Sequence, residues 1–100
     1  MHLISARRVK EAAAKYPNVE RIVRDFCKKV NRAEWQSIID VRQDDRTAEA
    51  VRNFTVANIK SNRYRMILSI EYEKQIAYFK YFLTHADHDK DDWKNDRYFG

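Results

Sequence analysis

The sequence predicts an α+β domain in which N-terminal helices pack on one face of a small antiparallel sheet. Apolar residues recur at helical spacing in the first part of the chain, and from residue 54 onwards they fall on every second position. The chain has 100 residues, of which 44% are apolar. That is enough for one small core, so we expect a single domain over residues 1–100.

Two helices and one shorter helical turn are predicted in the first half. Residues 1–4 fit a short strand, and Ser5 is a candidate N-cap for the first helix. The apolar positions of the two helices are Val9, Ala12, Ala13 and Tyr16, then Val19, Ile22, Val23, Phe26 and Val30. Pro17 is expected to stop the first helix and open the second, because its missing N–H costs nothing in a first turn. The further short turn is predicted around Trp35, Ile38 and Ile39.

The second half predicts three strands, at residues 54–59, 64–72 and 76–83. Short connections between them favour an antiparallel meander. Neither turn contains a glycine, so Asn62 is predicted to take a positive φ value in the first one. Thr84 is predicted to cap one helical turn in the polar end of the chain.

The net charge of +5 is unevenly distributed. Residues 1–32 carry +6 and residues 60–80 carry +3, whereas the two remaining segments are negative. Two basic zones favour an anionic partner, with nucleic acid preferred over a membrane surface. No apolar run approaches the roughly 18 residues of a spanning helix, and residues 1–10 lack a signal-peptide pattern. We therefore expect a cytoplasmic protein with no membrane partner.

Composition excludes several kinds of site. The only glycine is Gly100, which removes the Gly-rich phosphate cradles of P-loop and dinucleotide-binding proteins. The single cysteine, Cys27, rules out an intrachain disulfide and a cysteine-based zinc site. Cys27 lies near the apolar face of the second helix and is expected to be a buried structural thiol. No cofactor is predicted.

A series of cations on the strands is the strongest local pattern. Arg63 and Arg65 share one strand face, Lys60 precedes them and Lys80 lies in the next strand, so antiparallel pairing is expected to bring these groups together. Fixed cations on a sheet stabilise the charge that a phosphodiester gains in a transition state. The alternative is a solvated sheet face with lysines that protect an edge.

Residues 84–90, Thr-His-Ala-Asp-His-Asp-Lys, form the second pattern. His85 and His88 can serve in general acid–base catalysis, because imidazole gains and loses a proton near neutral pH. A divalent metal held by His85, Asp87 and His88 is another interpretation. The third interpretation is a capped polar tail with exposed histidines.

The order of these motifs resembles that of HigB-type toxins of the RelE-like superfamily. The resemblance covers residues 1–93 and rests on two blocks, Asn-Ile-Lys-Ser-Asn-Arg-Tyr-Arg at 58–65 and Leu-Thr-His-Ala at 83–86. It implies a RelE-like fold and a type II toxin, an mRNA interferase that cuts messenger on the ribosome. It also implies a HigA-like helix-turn-helix antitoxin, through which the pair binds operator DNA.

The resemblance places the functional positions of the family on four residues: Lys60, Arg65, Lys80 and His85. The family motif commonly reads Thr-His-Ala-Glu-Tyr-Asp-Lys. Here Asp87 stands for the glutamate and His88 for the tyrosine that is often counted as catalytic, so imidazole would relay the proton instead. Ser61 stands where glycine is usual, and Ala57 where phenylalanine is usual.

The expected chemistry is metal-independent attack of a ribose 2′-OH on the adjacent phosphate. Arg65, helped by Lys80, would stabilise the charge, and His85 or His88 would move the protons. The RNA backbone would be held by Lys60, Asn62, Arg63 and Lys90. No tuned carboxylate–histidine pair is evident in the sequence, so ribosomal RNA is expected to help orient the substrate. The alternative is a catalytically inactive RNA-binding or antitoxin-binding module of the same fold.

Overall fold

A computed structural model describes residues 1–60 and 63–100, and the predicted α+β class is confirmed. The strands are β1 (His2–Ile4), β2 (Glu49–Val51), β3 (Phe54–Ile59), β4 (Tyr64–Glu71) and β5 (Ile76–Thr84). The helices are α1 (Ala6–Ala13), α2 (Glu20–Arg32), α3 (Ile38–Asp44) and α4 (His85–Asp89). A 3-10 helix follows at Asp92–Asn95.

The strands form one sheet in the order β1-β5-β4-β3-β2. The predicted meander of β3, β4 and β5 is confirmed, and β2 extends it by another antiparallel pair. The expectation of a wholly antiparallel sheet was wrong at one edge, where β1 runs parallel to β5. A parallel neighbour needs a long crossover connection, and here the chain between β1 and β5 contains α1, α2 and the rest of the sheet.

The helices α1 and α2 cover one face of the sheet. Val9 and Val30 are fully buried there, and they belong to one apolar core with Met66 and Leu68 of β4. Between the two helices, the ring of Tyr16 lies 5.0 Å from that of Tyr64, measured between centroids. The predicted apolar faces of both helices therefore form the main core.

The opposite face is covered by residues 92–100, called here the C-terminal segment. Trp93 is 3% exposed and belongs to a second apolar cluster with Phe54, Val56 and Ile67. The ring of Phe99 lies 5.4 Å from that of Trp93. The sheet is therefore a middle layer between the helices and this segment.

Both edges of the sheet are short. At the β1 edge, the backbone N–H of Leu3 donates to Asn31 Oδ1 at 3.1 Å, and Asn31 belongs to α2. At the β2 edge, the strand has three residues. The sequence did not predict β2, because three residues are too few to display an alternating pattern.

Several local predictions differ from the structure. Ser5 precedes α1 as expected but has a φ of 73° and no side-chain capping hydrogen bond. Pro17 lies between the helices, and α2 begins only at Glu20. Trp35 lies before α3, where its indole N–H donates to Asp44 Oδ2 at 2.8 Å. Lys60 takes a positive φ of 52° after β3, whereas Asn62 lies outside the described residues.

Core packing on β4 should dominate stability. Leu68 is 1% exposed, and Leu68→Ala should lower the free energy of unfolding by about 2–5 kcal/mol, because it leaves a cavity in a close-packed core. Ile39 is 66% exposed, and Ile39→Ala should change the same quantity by less than about 0.5 kcal/mol. Urea denaturation of both variants is the measurement. Equal effects would contradict the assignment of the core.

Candidate active site

The two predicted motifs meet at one end of the sheet, where β4 begins and β5 ends. Tyr64 pairs with Thr84, which brings the first residues of β4 beside the start of α4. The backbone N–H of His85 donates to the carbonyl of Arg63 at 3.0 Å. The predicted helical turn is confirmed, since Thr84 Oγ1 accepts from the N–H of Asp87 at 3.1 Å.

The guanidinium of Arg65 contacts the imidazole of His85 in this corner. Arg65 is 7% exposed, and its Nη2 lies 2.7 Å from His85 Nδ1. Its Nη1 donates to the carbonyl of Tyr64 at 3.2 Å. Because a guanidinium has donors and no acceptor, Nδ1 accepts this hydrogen bond. A neutral His85 therefore carries its proton on Nε2.

Asp89 lies on the other side of the same imidazole. Its Oδ2 is 3.2 Å from His85 Nε2, and Asp89 lies one helical turn after His85 in α4. The side chain of Asp89 is 60% exposed and that of His85 is 54% exposed. The sequence did not indicate a tuned carboxylate–histidine pair, and the structure adds a solvent-exposed contact between His85 and Asp89. The i,i+4 spacing of His85 and Asp89 is the signal that could have revealed it, because such residues are neighbours on a helix.

His88 is held in place by the C-terminal segment. Its ring stacks on Trp93 with centroids 5.3 Å apart, and the indole N–H of Trp93 donates to the His88 carbonyl at 3.1 Å. The His88 side chain is 22% exposed, and its Nδ1 lies 3.6 Å from Asp89 Oδ1. Within the described ranges, that nitrogen has no hydrogen-bond partner. The stacking of Trp93 on His88 was not predicted from the sequence.

Three of the four predicted RNA-binding residues border this corner. The N–H of Arg63 donates to the carbonyl of Lys60 at 3.2 Å, so both residues belong to the turn between β3 and β4. Lys90 follows α4, with its ammonium 3.6 Å from Asp87 Oδ1. The fourth, Asn62, belongs to the two residues that the structure does not describe.

Lys80 occupies a different part of the sheet. The register pairs Arg65 with Leu83, so Lys80 lies three residues, about 10 Å, further along β5. Its ammonium is 3.7 Å from Asp96 Oδ1 and 4.5 Å from the centre of the Tyr98 ring. The expectation that strand pairing would bring Lys80 close to Arg65 was wrong. The register explains the distance, because three residues of β5 separate Lys80 from Leu83, the partner of Arg65. Lys80 itself is the extra residue of a β-bulge, since Ile67 pairs with Tyr81 and Leu68 with Phe79.

Asp96 anchors the C-terminal segment through several charged and polar contacts. Its carboxylate accepts from the Tyr81 hydroxyl at 2.7 Å and from the N–H of Tyr98 at 2.8 Å. Burial alone would raise the pKa of Asp96, but these two hydrogen bonds and the Lys80 ammonium hold that pKa below its usual value. The hydrogen bond to Asp96, with burial, raises the pKa of the Tyr81 hydroxyl.

Burial also raises the pKa of the Cys27 thiol, with an opposing effect from Lys10. Cys27 is a free, buried cysteine, as the sequence predicted. A raised pKa leaves a smaller fraction of thiolate, which is the reactive form. This agrees with a structural thiol.

The metal interpretation needs His85, Asp87 and His88 to converge. Among the residues that the structure describes, no group of three or more His, Cys, Asp or Glu side chains is placed to hold a metal ion. Asp87 instead faces Lys90. In the same ranges, no helix combines the length and the apolar character needed to cross a bilayer.

Helices packed on a mixed five-stranded sheet make an α+β fold, which is consistent with a RelE-like toxin. The chain belongs to the HigB toxin family, described as the RelE-like toxic component of a toxin-antitoxin system, and the match covers residues 19–91. Membership of this family implies an antitoxin partner. No curated protein is matched by the sequence.

The lowered pKa of Asp96 predicts a loss of stability in acid. A carboxylate with a lowered pKa in the folded state stabilises the fold above its ordinary pKa, and this contribution disappears as the pH falls through the folded value. The free energy of unfolding should therefore be lower for Asp96→Asn than for the wild type at pH 7, and the two should converge below about pH 4. Urea denaturation across this pH range is the measurement. The exposed Asp92→Asn serves as control, and a gap that does not narrow as the pH falls from about 5 to about 2 would contradict the prediction.

Proposed function

We propose that this toxin is an mRNA interferase, an endoribonuclease that cuts messenger on the ribosome and thereby inhibits translation. The observation that carries the proposal is the 2.7 Å contact between Arg65 Nη2 and His85 Nδ1. This contact joins a permanent cation and a proton-transfer group in one site. Phosphodiester cleavage requires both kinds of group. Membership of the HigB toxin family supports the same activity.

The proposed reaction is attack of a ribose 2′-oxygen on the adjacent phosphorus. The O2′–P bond forms, the P–O5′ bond breaks, and the products are a 2′,3′-cyclic phosphate and a 5′-hydroxyl. Arg65 binds the non-bridging oxygens and stabilises their growing negative charge. His85 and His88 share the two proton transfers, one from the 2′-OH and one to the 5′-oxygen. No metal ion is required in this scheme.

The cations around the corner are proposed to bind the RNA backbone. Lys60 and Arg63 lie at the turn that leads into β4, and Lys90 lies beyond α4, so they flank the Arg65–His85 contact on two sides. Contacts of this kind position a nucleic acid without reading its sequence. For Asn62 the same role rests on the sequence alone. The predicted contribution of Lys80 is restricted to long-range charge, because its ammonium already faces Asp96.

The openness of the site supports dependence on the ribosome. His85 and Asp89 are both more than half exposed, so these side chains form no deep cavity that would orient a flexible messenger. Productive orientation accounts for a large part of many rate enhancements. We assign that task to ribosomal RNA, with the basic zone of residues 1–32 as its contact surface.

The proposed biological setting is the cytoplasm, with a HigA-like helix-turn-helix antitoxin as the neutralising partner. Operator DNA would be bound only through that antitoxin. Induced expression of the toxin should arrest growth, and co-expression of the antitoxin should restore it. A folded protein that leaves growth unaffected would favour the inactive binding module.

Arg65→Ala should abolish cleavage, because no other cation contacts His85 among the described residues. The measurement is mapping of RNA ends after purified protein meets messenger on programmed ribosomes. Arg46→Ala, which removes an exposed arginine from the loop before β2, should cut like the wild type. Thermal melting checks that both variants fold. Full activity of folded Arg65→Ala would remove the central residue of the scheme.

A chelator should leave cleavage unchanged, since the scheme uses no metal. Naked messenger should be cut at least about a hundredfold more slowly than ribosome-bound messenger, because orientation is worth several kcal/mol. End mapping with and without chelator, on naked and on ribosome-bound RNA, tests both statements. Cutting of naked RNA that the chelator stops would favour a metal site at His85, Asp87 and His88 instead.

A further inference from the structure

We infer that Asp89 is a positioning residue that fixes His85 as the general base, with Nδ1 as the atom that takes the 2′-OH proton. This assignment rests on the proposed interferase activity and goes one step further, because it separates the roles of the two histidines. It depends on His85, whose two ring nitrogens contact Arg65 and Asp89.

The two contacts of the imidazole determine its tautomer. Nδ1 faces a group that only donates hydrogen bonds, Arg65 Nη2 at 2.7 Å. Nε2 faces a carboxylate that only accepts them, Asp89 Oδ2 at 3.2 Å. Both contacts require the proton of neutral His85 on Nε2 and a lone pair on Nδ1. The lone pair therefore points toward the cation that would hold the phosphate.

Substrate binding would convert this resting arrangement into a reactive one. When the phosphate oxygens take the hydrogen bonds of Arg65, Nδ1 loses its donor and becomes available to the 2′-OH of the same nucleotide. The 2′-OH proton then passes to Nδ1 as the O2′–P bond forms. The resulting imidazolium donates through Nε2 to Asp89, which stabilises the positive charge, as a buried carboxylate does in Ser-His-Asp triads.

The second proton transfer belongs to His88 in this scheme. As the P–O5′ bond breaks, a protonated His88 gives its proton to the 5′-oxygen, so the product leaves as a 5′-hydroxyl. Asp89 Oδ1 lies 3.6 Å from His88 Nδ1, which is beyond hydrogen-bond distance. Proton return from His85 to His88 through solvent restores the starting state.

No other nearby carboxylate is placed for this task. Asp87 faces the ammonium of Lys90 at 3.6 Å, and Asp91 faces that of Lys94 at 3.2 Å. Asp89 alone, among the described carboxylates, lies close to both histidines, 3.2 Å from His85 Nε2 and 3.6 Å from His88 Nδ1. Its position four residues after His85 places it one turn along α4, on the same side of the helix.

The test is single-turnover cleavage of messenger on programmed ribosomes. Asp89→Asn should lower the cleavage rate at saturating protein about tenfold, a small effect for such a contact because the pair is exposed to solvent. The protein concentration that gives half the maximal rate should stay unchanged, since Asp89 does not contact the phosphate. Asp89→Glu should recover at least about half of the lost rate, because it restores a charged acceptor. A purely structural role would be expected to change both parameters.

A double-mutant cycle tests whether Asp89 acts through His85. His85→Ala should cut slowly, and adding Asp89→Asn to it should produce no further loss, because the group that Asp89 orients is absent. Asp92→Asn is the matched control and should cut like the wild type. Thermal melting confirms that each variant is folded.

The possible outcomes separate this inference from the proposed function. A wild-type protein that cuts messenger while folded Asp89→Asn cuts equally fast would overturn the role of Asp89 alone. Independent losses from Asp89→Asn and His85→Ala would also overturn it. A wild-type protein that cuts no messenger under any condition would overturn the interferase activity, and the assignment with it.

Discussion

The site depends on keeping a charged guanidinium almost out of water. Arg65 is 7% exposed, and a guanidinium does not give up its proton at physiological pH. Burying such a charge is costly unless hydrogen bonds replace its water shell. The carbonyl of Tyr64 and the Nδ1 of His85 supply two of the acceptors. The side chain of Arg65 therefore constrains both the pairing of β4 with β5 and the start of α4.

The features of the fold that were predicted correctly from the sequence are those that short-range periodicity encodes. The apolar faces of α1 and α2, the meander of β3 to β5 and the Thr84 cap all depend on residues a few positions apart. The parallel pairing of β1 with β5 depends on the course of the whole chain, so no local pattern indicated it. Lys80 was misplaced for a related reason, because the register of β5 against β4, which sets its distance from Arg65, is not visible in the alternation of either strand.

For the candidate site, the sequence indicated candidate residues but not the contacts between them. Arg65 and His85 were brought together by their motifs, and the structure joins them across 20 positions. Asp89 was grouped with a cluster of acidic residues in a polar tail, and only the helical turn reveals which histidine it faces. Trp93 was left without a role, because stacking on His88 depends on how the C-terminal segment folds back onto the sheet.

The hydrogen bond between Leu3 and Asn31 has a consequence for the tendency of the protein to aggregate. A strand at the edge of a sheet is a template on which another chain can pair and begin to aggregate. The Asn31 amide oxygen takes one of the backbone donors that an incoming strand would use, and the opposite edge is only three residues long. Both features oppose pairing between sheet edges, and the net charge of +5 adds repulsion between molecules.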